Sequence, residues 1–260
     1  KIQKWRKMNK WIKEEYCHSF SGGQKFMINP SAWLFQYGFK HRQPTNPAMQ
    51  RGKTSEFVTY YIMKREKDFK EHKSIEEITD WHFSKNKFAY DKDEVLNSIE
   101  ISKQFKYALQ ERQLTNIEKY QEKIVVDGKK YGLEYPIVCY TDFTYPNLIV
   151  DTKATLKCPS VAKKSNIRQQ CLYSKLYDKP TSILYATPKR YKYFDILPGE
   201  VDEGFQECIN TFKNIENYLK VCDTLDKAVM ITPLNTDDYY FDNNMKQEAK
   251  KQWTKIIQNQ

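Results

Sequence analysis

Asp151 and Lys153 are the two residues of this chain best placed to do chemistry together. They close the apolar run Leu148-Ile149-Val150-Asp151-Thr152-Lys153, and alternation along a strand turns residues i and i+2 to the same side. A carboxylate at a strand end can hold a divalent cation, and an ammonium beside it can hold a water or a phosphate oxygen. Hydrolysis of a phosphodiester uses that pairing. The triplet alone carries no weight. With 33 acids and 36 lysines in 260 residues, about four to five acid-x-Lys triplets arise by chance. Five occur, beginning at Asp68, Glu71, Asp127, Asp151 and Glu248, and only Asp151 follows an apolar β run. Its neighbours must therefore set it apart.

Three neighbours do so. Asp142 ends a second β-like run, Ile137-Val138-Cys139-Tyr140-Thr141-Asp142, and Pro146-Asn147 between the two runs is a turn signal. The spacing predicts an antiparallel pair that brings Asp142 and Asp151 close enough to serve one metal site. Downstream, Ile167 to Tyr177 has helical periodicity, with Gln169, Leu172, Tyr173 and Leu176 on one stripe. A glutamine and a tyrosine on a core-facing stripe need polar partners. Upstream, Arg51-Gly52-Lys53-Thr54-Ser55-Glu56 lies in a predicted helix, and Glu56 offers a third carboxylate.

The order R-G-x-x-x-E, D, D-x-K and Q-x-x-x-Y resembles the PD-(D/E)XK nuclease superfamily, in its RecB-like and phage (lambda-exonuclease-like) branch. Asn29-Pro30-Ser31-Ala32-Trp33-Leu34 resembles the helix start that opens these domains, and Asn46 to Gly52 resembles the run into their first motif. The similarity spans about residues 29–177. Glu56 stands where many RecB-like members carry histidine and lambda-exonuclease-like members carry glutamate. Cys139 stands where the family usually has glycine. The resemblance implies an α/β restriction-endonuclease-like core, a central mixed sheet flanked by helices. It also implies a metal-dependent DNA exonuclease, with a flap-type endonuclease or an inactive DNA-binding module as alternatives. Glu56, Asp142, Asp151 and the carbonyl of Thr152 would hold one or two Mg²⁺ or Mn²⁺ ions, which take hard oxygen ligands. Lys153 would orient the attacking water and offset charge at the phosphorus. Gln169 and Tyr173 would touch the DNA backbone near the cut. Arg51 and Arg168, with Lys53, Lys157, Lys163 and Lys164, lie near the motifs in sequence and could grip phosphates.

Composition agrees with a polyanionic partner such as duplex ends or single strands of DNA. The formal net charge is +10 and the isoelectric point about 9.1. Some relatives bind an iron–sulfur cluster through four cysteines. Here Cys17, Cys139, Cys158, Cys171, Cys208 and Cys222 are scattered without C-x-x-C or zinc spacing, so no such cluster is expected. With no signal peptide visible, they read as reduced, mostly buried thiols of a cytoplasmic protein, in the host cytoplasm if it is viral. Mean hydropathy is −0.81 and no apolar stretch approaches a membrane span. A recombination partner protein or further copies of the chain are compatible companions.

The elements that must position these residues follow from pattern. One domain is expected over 1–260, with core motifs over 29–197 and helical additions at 1–28 and 198–260. Lys4–Glu15 reads as an amphipathic helix broken by Ser21-Gly22-Gly23. Further helices are predicted over Ser31–Tyr37, Gln50–Arg65, Ser74–Phe83, Asp93–Glu111, Val201–Cys222 and Asn243–Ile257. The Val201 helix carries Phe205, Ile209, Phe212, Ile215 and Leu219 as its core face. Ile124–Val126 and Tyr131–Tyr135 read as a hairpin about Asp127-Gly128. Ser182–Ala186 and Tyr191–Ile196 read as a second, about Pro188.

Overall fold

The computed structural model describes residues 11–12, 16–68 and 74–259. Apart from Trp11 and Ile12, the expected Lys4–Glu15 helix lies outside them. Five strands form one sheet in the order β1-β2-β3-β4-β5: β1 (Lys119–Val126), β2 (Ile137–Thr144), β3 (Ile149–Ala154), β4 (Thr181–Ala186) and β5 (Tyr191–Asp195). β2 and β3 are antiparallel, β3 and β4 parallel, β4 and β5 antiparallel. The protein is therefore α/β with a mixed sheet. Among the described residues nine α-helices accompany it. They are α1 (Phe20–Ile28), α2 (Pro30–Tyr37), α3 (Pro47–Asp68), α4 (Ile75–Ser84), α5 (Lys92–Glu111), α6 (Lys164–Tyr177), α7 (Pro198–Val221), α8 (Leu225–Ile231) and α9 (Asn243–Gln258).

Local chemistry explains the connections. The β2–β3 hairpin closes where Tyr145 N–H donates to the Leu148 carbonyl at 2.8 Å, on either side of Pro146-Asn147. A parallel β3–β4 pair needs a crossover, and α6 supplies it. Thr187 closes the β4–β5 turn, its N–H donating to the Arg190 carbonyl at 2.9 Å. Alternation along β4 then sorts its buried residues. Leu184 and Ala186 join Val150 of β3, Phe143 of β2, Met63 of α3, and Ile101, Phe105 and Leu109 of α5 in one cluster. Ile183 and Tyr185 join Cys171 of α6 and Ile196 in another. Each fully buried side chain of this size contributes about 1.5–3 kcal/mol.

The chain divides into two compact units. One comprises the described residues within Lys1–Pro44, Ile124–Cys139 and Gln206–Gln260, the other those within Thr45–Lys123 and Tyr140–Phe205. The division departs from the expected core of 29–197, because residues 29–44 and 124–139 group with the C-terminal helices. In that first unit the predicted face of α7 is buried, Ile209 at 2% and Leu219 at 0% exposure. Its Glu216 is a buried hub. One carboxylate oxygen accepts from His18 Nε2 at 2.9 Å and from the backbone N–H groups of Glu134 at 2.7 Å and Tyr135 at 2.9 Å.

Three expectations are corrected. Gly22-Gly23 does not interrupt a helix but lies inside α1, which Ser19 caps by accepting from Gly22 N–H. Both glycines sit at close approaches. A Cβ on Gly22 would come within 2.8 Å of the Tyr37 hydroxyl, and one on Gly23 within 3.0 Å of the Phe212 ring. Tyr131–Tyr135 is not a strand. After Asp127 caps a short 3₁₀ turn over Gly128–Tyr131, the chain doubles back so tightly that a Cβ on Gly128 would overlap the Tyr135 carbonyl. β1 pairs with β2 instead, and it starts at Lys119 rather than Ile124. α8 was not expected. Its seven residues are too few for periodicity to declare them, although Thr224 caps it with a standard side-chain bond.

Candidate active site

All the groups described next belong to the second unit. The β2–β3 register pairs Phe143 with Val150 and Thr144 with Ile149, and one further step faces Asp142 with Asp151. There a side chain takes over from the ladder. Asp142 Oδ2 accepts from the Thr152 N–H at 2.7 Å and from the Thr152 hydroxyl at 2.9 Å. Asp151 is 2% exposed, because β3 runs between β2 and β4. Lys153, opposite Tyr185 of β4, has a side chain 24% exposed and forms an ion pair with Asp151. α6 returns over this end of β3. Lys153 Nζ donates to Gln169 Oε1 at 3.3 Å, and Gln169 Nε2 donates to the Tyr173 hydroxyl at 2.9 Å. The i, i+4 spacing of Gln169 and Tyr173 makes that last bond possible.

Glu56 arrives from α3 and is 8% exposed. A seam of small polar residues lets α3 lie close to α5: Ser55, Thr59, Ser98 and Ser102 are all wholly buried, and the Ser102 hydroxyl donates across to the Ser55 carbonyl at 3.2 Å. Arg51 adds an ion pair to the same seam, with Nη1 2.5 and 2.6 Å from the two Glu94 oxygens. Glu56 Oε1 accepts from Gln121 Nε2 of β1 at 2.9 Å, and the Tyr120 hydroxyl turns to the same carboxylate.

Electrostatics tie the groups together. Burial, and next the Asp142 charge, push Glu56 well above the usual carboxylate range, while the Gln121 bond pulls the other way. Burial, and next the Asp151 charge, push Asp142 up to about 7, against Lys153 and the Thr152 bonds. Burial alone would lower Lys153, but Asp151 and Asp142 outweigh it and raise its affinity for the proton. Each of Glu56, Asp142 and Asp151 thus stands within electrostatic reach of the others and of one ammonium. Negative charge is in surplus.

Of the residues singled out in the sequence, the fold gathers Glu56, Asp142, Asp151, Thr152, Lys153, Gln169 and Tyr173. Arg51 instead turns to Glu94, and a phosphate contact from it would require breaking that buried pair. Arg168 is exposed on α6 next to Gln169; Lys157, Lys163 and Lys164 are exposed on the loop and first turn between β3 and α6. Tyr120 and Gln121 escaped notice. The run Lys119-Tyr120-Gln121-Glu122-Lys123 has no apolar alternation, although its large–small exposure pattern in β1 is regular.

Oxygen donors of this kind suit Mg²⁺ or Mn²⁺. One observation fits the site to such an ion: Asp151 Oδ2 is buried and is met by the Lys153 ammonium but by no other donor. Among the described residues no three acidic, histidine or cysteine side chains already stand at ligand spacing. No disulfide links the described residues, and Cys139, Cys171, Cys208 and Cys222 are buried. Among the described residues no helix is long and apolar enough to cross a membrane.

No family model matches the chain, and no curated protein matches it. Among solved structures it is similar to one described as the crystal structure of SSO0001, at 11% identity and a TM-score of 0.35, over 70% of this chain and 98% of that one. That likeness carries no functional inference.

Proposed function

We propose that Glu56, Asp142, Asp151 and Lys153 form the centre of a metal-dependent deoxyribonuclease, an exonuclease of phage type serving DNA recombination or degradation. The observation that carries this reading is the convergence of three carboxylates from α3, β2 and β3 on one ammonium. Structural acids seldom gather with so few donors. Glu56, Asp142 and Asp151, with the Thr152 carbonyl, would hold one or two Mg²⁺ or Mn²⁺ ions. Bound there, such an ion supplies the positive charge that polarises the phosphate and acidifies a water.

The chain's own groups do the rest. Lys153 stays protonated at neutral pH, and its N–H groups meet the attacking water or a phosphate oxygen as negative charge grows. Gln169 and Tyr173 fix the direction of that ammonium through the two bonds above and would meet the DNA backbone near the cut. Thr152 keeps one Asp142 oxygen engaged, which orients the carboxylate. Exposed Lys157, Lys163, Lys164 and Arg168 lie next in sequence to β3 and α6 and suit phosphate contacts. DNA as substrate and six unclustered cysteines point to the cytoplasm, that of the host if the protein is viral.

Incubation with linear and closed circular duplexes, in Mg²⁺ or in EDTA, tests the proposal. Mg²⁺-dependent loss of linear DNA alone is the expected result. Nicking of circles would mean an endonuclease, and no metal-dependent loss from either would leave only a DNA-binding module.

A further inference from the structure

β1 departs from strand regularity at a single described residue. Gln121 has φ +50°, in the left-handed region that residues with a side chain rarely enter. It sits inside the strand, between Tyr120 and Glu122, where no turn calls for such a backbone. A regular strand would send Tyr120 and Gln121 to opposite sides. Here both address one carboxylate: Gln121 Nε2 donates to Glu56 Oε1 at 2.9 Å, and the Tyr120 hydroxyl turns to it as well. Tyr120 is itself fixed, its ring stacked at 4.3 Å on Tyr60 of α3 and 5.8 Å from Phe143 of β2. Gln121 is exposed, so its side chain gains little from burial that could offset the strained backbone. Strain of this kind collects where function over-determines the chain.

We propose that Gln121 is a positioning residue for Glu56: the kink in β1 carries its amide onto one carboxylate oxygen and so presents the other to a divalent cation. The role rests on the reading of Glu56 as a metal ligand. It makes β1 part of the site, although β1 contributes no ligand. Groups that orient ligands in this way typically set metal affinity, and their loss weakens it about 10- to 100-fold.

Two variants separate this role from a structural one. Gln121→Gly removes the donor and relieves the left-handed backbone; Gln121→Met removes the donor at similar length and keeps the strain. Calorimetric titration with Mn²⁺, beside thermal melts without metal, gives the readout. Both variants should bind Mn²⁺ about tenfold or more weakly, and Gln121→Gly should melt no lower than the native protein. Either variant binding Mn²⁺ as tightly as the native protein overturns the positioning role alone. A native protein that binds no Mn²⁺ overturns the metal site and this role together.

Discussion

Glu216 and Glu56 are almost equally hidden from water, at 3% and 8% exposure, yet they hold protons in opposite ways. Burial alone would raise Glu216, but His18 and the N–H groups of Tyr135 and Glu134 outweigh it and keep it below the usual range. For Glu56 burial, and next the Asp142 charge, win over the Gln121 bond, and it is pushed up. Asp142 follows Glu56, to about 7. A buried acid with enough donors is a structural part; a buried acid short of donors and crowded by others is held there for something else. Burial alone does not mark the site. Burial beside like charges, with too few donors to offset it, does.

Removing the site's own cation should break this contrast most sharply. Lys153→Ala is expected to lower cleavage by about 10³-fold while duplex binding in EDTA, followed by fluorescence anisotropy, changes little; a matching loss of binding would remove Lys153 from the chemistry. Glu216→Ala should leave buried donors unpaired and cost about 2–4 kcal/mol of unfolding free energy, read by urea titration. Asp142→Asn should do the reverse. It removes a repelled charge while still able to accept from Thr152, so the metal-free protein gains about 1–2 kcal/mol at pH 8 and next to nothing at pH 4.

The signs of the pH dependence differ between the regions in the same way. Asp142, at about 7 in the folded chain against an ordinary 3.8, binds its proton more tightly folded than unfolded, so its contribution to metal-free stability falls as pH rises from about 4 to 7. Burial lowers His18 below 6.5, and Glu216 lies below 4.5. Their contributions are complete above those values and are lost as pH falls. Hydrogen exchange at pH 5 and pH 8 should show the amides of β2 and β3 responding opposite to those of α7. The smallest effect sharpens the same point: below pH 7, Mn²⁺ must displace a proton from Asp142, and burial favours the protonated form of Glu56 as well, so its apparent affinity should fall by up to about tenfold per unit for each proton released. Titration in buffers of different ionisation enthalpy counts those protons.

Much of the site was legible because its parts sit on strongly patterned elements. The apolar runs into Asp142 and Asp151 could only be strands, and Pro146-Asn147 could only join them as a hairpin. Gln169 and Tyr173 shared a helical stripe, and they bond as that spacing demands. What stayed hidden lacked local pattern. β1 begins in a charged run whose pairing is set by β2 rather than by its own residues. Gln121 reaches Glu56 through a backbone angle that no residue type announces. Gly22-Gly23 reads as a breaker until Tyr37 and Phe212, distant in sequence, require the space. Arg51 looked like a phosphate clamp because Glu94, its partner across the α3–α5 seam, lies 43 residues away.

One titration bears most directly on the central claim that these carboxylates form a cation site. Mn²⁺ added to the native protein should give a saturable isotherm, and Asp151→Asn, which takes the charge from the buried carboxylate paired with Lys153, should abolish it while the melt stays cooperative. Identical isotherms from the two proteins would contradict the account.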